Sequence, residues 1–321
     1  MKCMKIGVLG CSSVANKSMI PAINACECFV LSGVSSRDPD KSKLYADKFS
    51  TKAYSYEEIL NSDVDVIYVS LPVGLHYVWG KKILESGKNL LMEKTFTRTH
   101  EEAKELFDIA RSNNLVCMEA LMYEYHPLQF QIDNLLLSAG EVKTVEAHFG
   151  FPHFKDTNNI RYSGELGGGA MLDSLIYPLS FVFRILGNDF KNFNSISFHD
   201  NKHGVDERGY IQFEYKNAIA NISYGLSHSY RNEVVVWTEN MMLKADRVFS
   251  RPKECKNPIE LVYDGDRKMH KCKPSDHFVN MLRAFYTRLI TPSTHDIARE
   301  NTLIRLNFID KMRTANYGLQ G

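Results

Sequence analysis

Short apolar runs alternate with amphipathic stretches along the first third of the chain. Lys5–Leu9, Phe29–Ser35, Asp65–Leu71, Asn89–Met92 and Leu115–Ala120 are too short and too apolar for helices and read as strands. Asp65–Leu71 is almost continuously apolar, as a strand covered on both faces of a parallel sheet must be. Between these runs, Lys41–Phe49, Tyr56–Leu60, Val78–Ser86 and Thr99–Asn113 read as helices. Gly87 ends the third of them, and Thr99 with Glu102 opens the fourth as a capping pair. Pro21 predicts a kink or restart in the helical stretch after the first strand. Regular alternation of strand and helix predicts an α/β fold, a Rossmann-type doubly wound parallel sheet over residues 1–121.

Past residue 121 the pattern changes. Leu128–Ser138 reads as a helix, and Val142–Phe151 alternates with Val145, Ala147 and Phe149 on one face. From Ser195 to Tyr263 strands follow one another without helices between them, among them Gly209–Tyr215, Ala218–Tyr224, Glu233–Thr238 and Met242–Val248. Asp276–Leu289 and Ile297–Thr314 read as closing helices. Residues 122–321 are therefore expected to form an α+β domain built on a large, mainly antiparallel open sheet. One face of that sheet covers helices and the other is available for a dimer interface.

Composition narrows the partners. The chain has 321 residues, 44% hydrophobic and 24% charged, with a formal net charge of +1. That balance supports a proper core and gives no reason to invoke nucleic acid or an acidic membrane surface. No apolar run reaches the ~20 residues that span a bilayer. The N-terminus leads straight into a strand, with no signal-peptide pattern. Seven cysteines without a Cys-x-x-Cys pair, and a Cys26-Glu27-Cys28 spacing too tight for zinc, read as reduced thiols of a cytoplasmic protein without a metal site.

Candidate chemistry lies at the strand ends. Gly10-Cys11-Ser12-Ser13-Val14-Ala15 follows the first strand as a variant of the dinucleotide fingerprint. Gly10 supplies the turn, Ser12 stands where backbone nears pyrophosphate and adds a hydroxyl, and Ala15 lets the helix pack closely. Free N–H groups at the helix start, around Ser13 and Val14, would face the phosphates. The second strand ends in Ser36-Arg37, where NAD-binding chains carry an acid for the ribose 2′-hydroxyl. Serine and arginine suit a 2′-phosphate, which favours NADP(H). Asp38 keeps NAD open: it either fills the place of the missing acid or caps the helix beside Pro39. Leu71-Pro72 turns the chain close to the nicotinamide ribose. His76 either starts the next helix facing the cofactor or merely caps it.

Glu93-Lys94 ends the strand from Asn89. Alone it reads equally as a solvated charge pair; the motifs on both sides favour a lysine delivered to the ligand-binding edge of a sheet. In the second half, Arg161 precedes Gly167-Gly168-Gly169-Ala170, whose glycines imply a close backbone approach. A helix begins at Met171, and Asp173 and Tyr177, four apart, would share one of its faces.

The fingerprint, the Pro72 to His76 turn, Glu93-Lys94, Met118 to Tyr123 and the glycine-rich signature with Asp173 and Tyr177 together resemble the glucose–fructose oxidoreductase, inositol dehydrogenase and MocA family. The resemblance runs nearly the whole chain, and Glu119 to Pro127 is most similar to its dihydrodiol and sugar dehydrogenase branch. In that family the Glu-Lys motif usually ends in a proline, cis or strained; Thr95 replaces it here. Leu175 stands where the second signature has glycine. Asp276-His277-Phe278 also matches the family pattern, where it is mainly structural. The resemblance implies a homodimer or homotetramer assembled through the C-terminal sheet.

It also implies hydride transfer between nicotinamide and a carbinol or ketone carbon of a sugar, nucleotide sugar or diol. Lys94 and Tyr177 would be acid and base, Asp173 would orient Lys94 or the substrate, and Glu93 would fix the lysine or contact the cofactor. Lys94, His126, Arg161, Asp173 and Tyr177 would meet the substrate. For base work a lysine near its ordinary ~10.4 must be lowered by burial or a cationic neighbour. Two other classes remain open at this point: a redox-neutral enzyme with bound NAD, of glycosidase type, and a cofactor-binding sensor without catalysis. Retention of Lys94, Asp173 and Tyr177 together argues against the sensor.

Overall fold

The computed structural model describes residues 3–156, 158–200, 202–291 and 296–317. Apolar runs at the start of the chain form β1 (Met4–Leu9), β2 (Phe29–Ser35), β3 (Ala53–Tyr54), β4 (Val66–Val69), β5 (Asn89–Glu93) and β6 (Cys117–Ala120). They pair in parallel in the order β3-β2-β1-β4-β5-β6. The winding direction reverses between β1 and β4, the switch point at which open α/β sheets bind ligands. Helices α1 (Ile20–Ala25), α2 (Pro39–Phe49), α3 (Tyr56–Leu60), α4 (His76–Glu85) and α5 (His100–Ser112) connect the strands. Below the sheet Leu9, Ile67, Val69, Leu90, Met92, Phe96 and Leu106 make one buried cluster. Phe96 stacks on Phe107 at 4.7 Å between ring centroids, a contact of about 0.5–1.5 kcal/mol beyond burial.

Pro21 acts one turn before itself. Ala15–Met19 is π-helical, with the Ile20 N–H reaching five residues back to the Ala15 carbonyl. Pro21 has no N–H for the carbonyl four residues back and its ring crowds that position, so the chain widens there and α1 restarts.

After α6 (Pro127–Leu136), the second half builds β7 (Val142–Gly150), the short helix α7 (Ala170–Asp173) and α8 (Ile176–Leu186). Seven further strands follow: β8 (Asn192–Asp200), β9 (Val205–Glu214), β10 (Ile219–Gly225), β11 (Arg231–Thr238), β12 (Met242–Asp246), β13 (Ile259–Tyr263) and β14 (Asp266–His270). Their order with β7 is β14-β13-β12-β11-β7-β10-β9-β8, antiparallel throughout except for the β7–β10 pair. Val145, Ala147 and Phe149 of β7 are buried with Val234 and Val236 of β11, the face against the helices. The other face exposes Ile196, Phe198, Tyr210, Ile219 and Trp237.

The chain closes with α9 (His277–Ile290) and α10 (Asp296–Tyr317). It divides into two compact units: residues 1–122 with 277–307, and residues 123–276 with 308–321. The division expected at 121/122 puts all of α9 in the second domain. Instead α9 packs on β2, with Phe285 and Tyr286 against Phe29, and Arg283 forks onto Glu27. All seven cysteines are free. Among the described residues no helix is long and apolar enough to cross a membrane.

Candidate active site

In the first unit, the carboxyl ends of β2, β1, β4 and β5 stand side by side in the sheet. Each expected cofactor residue hangs on one of them. Gly10 has φ +108°, and a Cβ there would lie 2.5 Å from the Ser70 carbonyl oxygen at the end of β4. Only glycine fits this turn. Its N–H donates to the Ser35 carbonyl, joining the ends of β1 and β2.

Ser12 was expected to offer its hydroxyl to phosphate. In the structure Ser12 Oγ accepts from the Ala15 N–H at 3.0 Å and shares a hydrogen bond with Ser70 Oγ. It therefore caps the helix and ties it to β4, while Ser13 and Val14 form the first helical residues.

Beyond β2, Ser36 is nearly buried and Arg37 is exposed. The Asp38 carboxylate turns away to α2, accepting from the Asp40 and Lys41 N–H groups at 3.0 and 3.3 Å. Of the two expectations for Asp38, this is the helix cap, with Pro39 at the first helical position, worth about 1 kcal/mol.

Leu71 and Pro72 form the turn after β4, and His76 opens α4. The His76 ring is fully buried. Nε2 lies 2.9 Å from the Leu71 carbonyl, and Nδ1 lies 3.0 and 3.2 Å from those of Thr95 and Phe96. Both ring nitrogens thus address the backbone instead of a ligand. Burial holds this histidine below its usual range, opposed by the carbonyl contacts.

Glu93 and Lys94 leave the end of β5, and the Lys94–Thr95 peptide is cis with threonine at the proline position. The buried Tyr68 hydroxyl donates to Glu93 Oε1 at 2.5 Å. Burial pushes the Glu93 carboxyl up to about 7; the Tyr68 bond and the neighbouring Lys94 charge oppose the rise. Glu93 is thus fixed between a phenol and a lysine, a proton-accepting group poised near neutrality.

In the second unit the helix expected to carry both Asp173 and Tyr177 is broken. Asp173 ends α7 and Tyr177 is the second residue of α8. Pro178 supplies no N–H to the Ser174 carbonyl and crowds it, Ser174 Oγ donates to the Ala170 carbonyl, and the Leu175 N–H reaches five residues back to the same carbonyl. The regular helix is thus interrupted between Asp173 and Tyr177.

Asp173 instead pairs with Arg161, whose Nε donates to Oδ2 at 2.5 Å. The Arg161 guanidinium also lies over the Phe154 ring at 4.7 Å. Tyr177 is held in an aromatic cluster, 4.9 Å from Phe149 and 5.9 Å from Tyr123. His126 is buried, and its Nδ1 accepts from the Leu128 N–H, so that nitrogen is committed to capping α6. Burial and the Arg251 charge push His126 down to about 4.

The glycine run is explained by two residues that local sequence did not single out or connect. A Cβ at Gly168 would strike the Arg161 carbonyl oxygen at 2.5 Å, and one at Gly169 would strike Asp206 Oδ1 at 2.2 Å. Asp206 comes from β9 and accepts from the Met171 N–H at 2.5 Å, closing the start of α7. Tyr68 was equally hidden, a polar tip inside an apolar run.

A doubly wound sheet with a glycine turn at its switch point and a lysine at the same edge, followed by a broad open sheet, defines a dinucleotide-dependent oxidoreductase. Residues 4–121 match the family described as "Oxidoreductase family, NAD-binding Rossmann fold", and residues 138–244 match the "GFO/IDH/MocA C-terminal domain". The chain belongs to the GFO/IDH/MocA oxidoreductase family and is an NAD(P)-dependent enzyme acting on carbinol or keto groups.

It is 35% identical over 270 residues to the dTDP-3,4-didehydro-2,6-dideoxy-alpha-D-glucose 3-reductase of Saccharopolyspora spinosa, covering 82% of this chain and 81% of the relative. It is 28% identical to D-xylose 1-dehydrogenase (NADP(+)) 2 of Haloferax volcanii, over 96% of this chain and 95% of that one. A crystal structure of a 3-ketoreductase from Actinomadura kijaniata with NADP and TDP-benzene superposes with a TM-score of 0.93 at 28% identity, covering 98% of each chain.

Proposed function

We propose that the chain is an NADP(H)-dependent reductase or dehydrogenase acting on a sugar, nucleotide sugar or diol. The observation that carries this reading is the shared rim: Gly10 to Val14, Ser36-Arg37, Leu71-Pro72 and Glu93-Lys94 stand on adjacent strand ends. The glycine turn after β1, which opens onto the start of a helix, is of the kind that takes a dinucleotide phosphate. Ser36 and Arg37 would hold the 2′-phosphate, since Asp38 is engaged in capping α2. When bound, the nicotinamide supplies the hydride chemistry.

The chain's own residues handle the proton and the substrate. Lys94 gives its proton to the substrate oxygen in reduction, or takes it in oxidation, and the Tyr177 hydroxyl shares it. Glu93 holds Lys94 in place. Asp173 orients Arg161, and Arg161 meets a substrate hydroxyl or anionic group. The relatives' names, a dTDP-sugar 3-reductase and an NADP-dependent xylose dehydrogenase, support both the sugar class and the cofactor. Ile196, Phe198, Tyr210 and Trp237 on the open sheet face support assembly of copies through that sheet.

The test is a titration of the purified protein with NADPH and with NADH, followed by nicotinamide fluorescence. NADPH should bind at least about 10-fold more tightly, and Arg37→Ala should erase most of that preference. Preference for NADH would overturn the cofactor assignment. Cofactor that co-purifies and does not exchange would move the reading to a redox-neutral enzyme.

A further inference from the structure

We propose that Glu119 and His76 are positioning residues that together clamp the backbone presenting Lys94, with Arg305 of the C-terminal helix as the counter-charge that makes the clamp possible. This rests on the reading of Lys94 as acid and base. The residues after Lys94, Thr95 to Thr97, are all fully buried. Their backbone is gripped from two sides. Glu119 Oε1, on β6, accepts the Phe96 N–H at 2.9 Å. The His76 ring, on α4, places Nδ1 3.0 and 3.2 Å from the carbonyls of Thr95 and Phe96 and Nε2 2.9 Å from that of Leu71 on the cofactor turn; a neutral ring has one N–H to donate, and in the Nδ1–H tautomer it goes to the Lys94 side. Amide and carbonyl of one segment are therefore fixed by two different elements.

The second oxygen of Glu119 explains why an acid can stand there. Oε2 accepts from Arg305 Nη2 at 2.7 Å and from Thr302 Oγ1 at 3.1 Å, both on α10. The side chains of Arg305 and Glu119 are 5% and 2% exposed. A carboxylate so desolvated is tolerated only with a partner of this kind. If the ion pair served folding alone, an apolar pair would do as well. The acid differs in having an oxygen left for the Phe96 N–H, two residues beyond the lysine.

The deciding variant is Glu119→Met with Arg305→Met. Replacing both members of a buried ion pair by apolar side chains of similar size generally preserves a fold, yet it removes the acceptor of the Phe96 N–H. Lysine acylation by acetic anhydride at fixed pH, resolved by mass spectrometry, reads Lys94 in the intact protein without a substrate. Lys94 should change its rate at least about 3-fold, exposed Lys48 and Lys104 should change less than about 1.5-fold, and NADPH affinity should stay within about 3-fold. A folded double variant whose Lys94 reacts as in the wild type overturns the proposal.

Should that variant fail to fold, His76→Phe decides by the same readout. It keeps a buried ring but has no nitrogen for the Thr95 and Phe96 carbonyls, so wild-type Lys94 reactivity there overturns the clamp and a changed one supports it. Lys94→Ala tests the parent reading by turnover alone. Its failure would leave the acylation result standing, so the two ideas fall separately.

Discussion

The two units carry their chemistry on different kinds of backbone. In the first, fingerprint, cofactor turn and lysine sit on the ends of parallel strands whose register is fixed by neighbours on both sides. In the second, Arg161 lies in a single 3-10 turn, Asp173 ends a four-residue helix and Tyr177 starts another. Strand ends aim side chains by periodicity, and periodicity is readable. Broken helices aim them by the break, which depends on which carbonyl has lost its donor. The difference teaches that residues of one proposed reaction are held by rules of unequal visibility.

The sharpest way to break the comparison is to remove one residue from each side. Lys94→Ala should lower kcat by about 10³-fold with NADPH affinity little changed, as expected for loss of a general acid. Tyr177→Phe should lower kcat by roughly 10–100-fold, because the ring cluster persists and only the shared hydroxyl is lost. Steady-state kinetics with separate NADPH titrations check both. Equal losses would mean that the two units contribute alike.

Pro178→Ala probes the break itself. It returns an N–H to the Ser174 carbonyl and lets α7 and α8 run on as one helix, turning Asp173 away from Arg161. Activity should fall about 3–10-fold while the melting temperature holds or rises. Unchanged activity would show that the break does not place Asp173.

The smallest effect belongs to stability and to Glu93. Its carboxyl is raised to about 7 from an ordinary 4.5, so the folded protein holds this proton more tightly than the unfolded chain. The ionised form then costs stability at pH 8; the cost fades as pH falls through 7 and vanishes towards 4.5. Glu93→Gln, which mimics the protonated acid, should exceed wild-type stability at pH 8 by roughly 1–3 kcal/mol, and the gap should close on acidification. Urea unfolding at several pH values measures this.

Much of the first unit was legible because its signals are local. β2 and α3 run over the residues their apolar patterns predict, and α2, expected from Lys41, starts at Pro39 behind an Asp38 cap that was one of two open readings. A doubly wound parallel sheet followed from the alternation; the strand order did not. What stayed hidden depends on distant partners. Nothing near Glu119 points to Arg305, and nothing near Gly169 points to Asp206. Pro178 was visible, but its effect falls four residues earlier, on Ser174. His76 and His126 illustrate another limit. A histidine beside a motif invites a ligand, yet each of these buried rings has at least one nitrogen engaged by the backbone.

One consequence of the second sheet concerns how it comes into being. Strands β8 to β10 form one ribbon and β11 to β14 another, each closed by neighbours in sequence, and β7 alone joins them. Translation delivers β7 before either ribbon exists. Until Ile219 to Thr238 emerge, this strand, apolar on one face, has both edges without the partners it finally keeps. Completing the sheet therefore waits on long-range closure, and β7 is the segment on which a chaperone, or a mispaired neighbour, would act first.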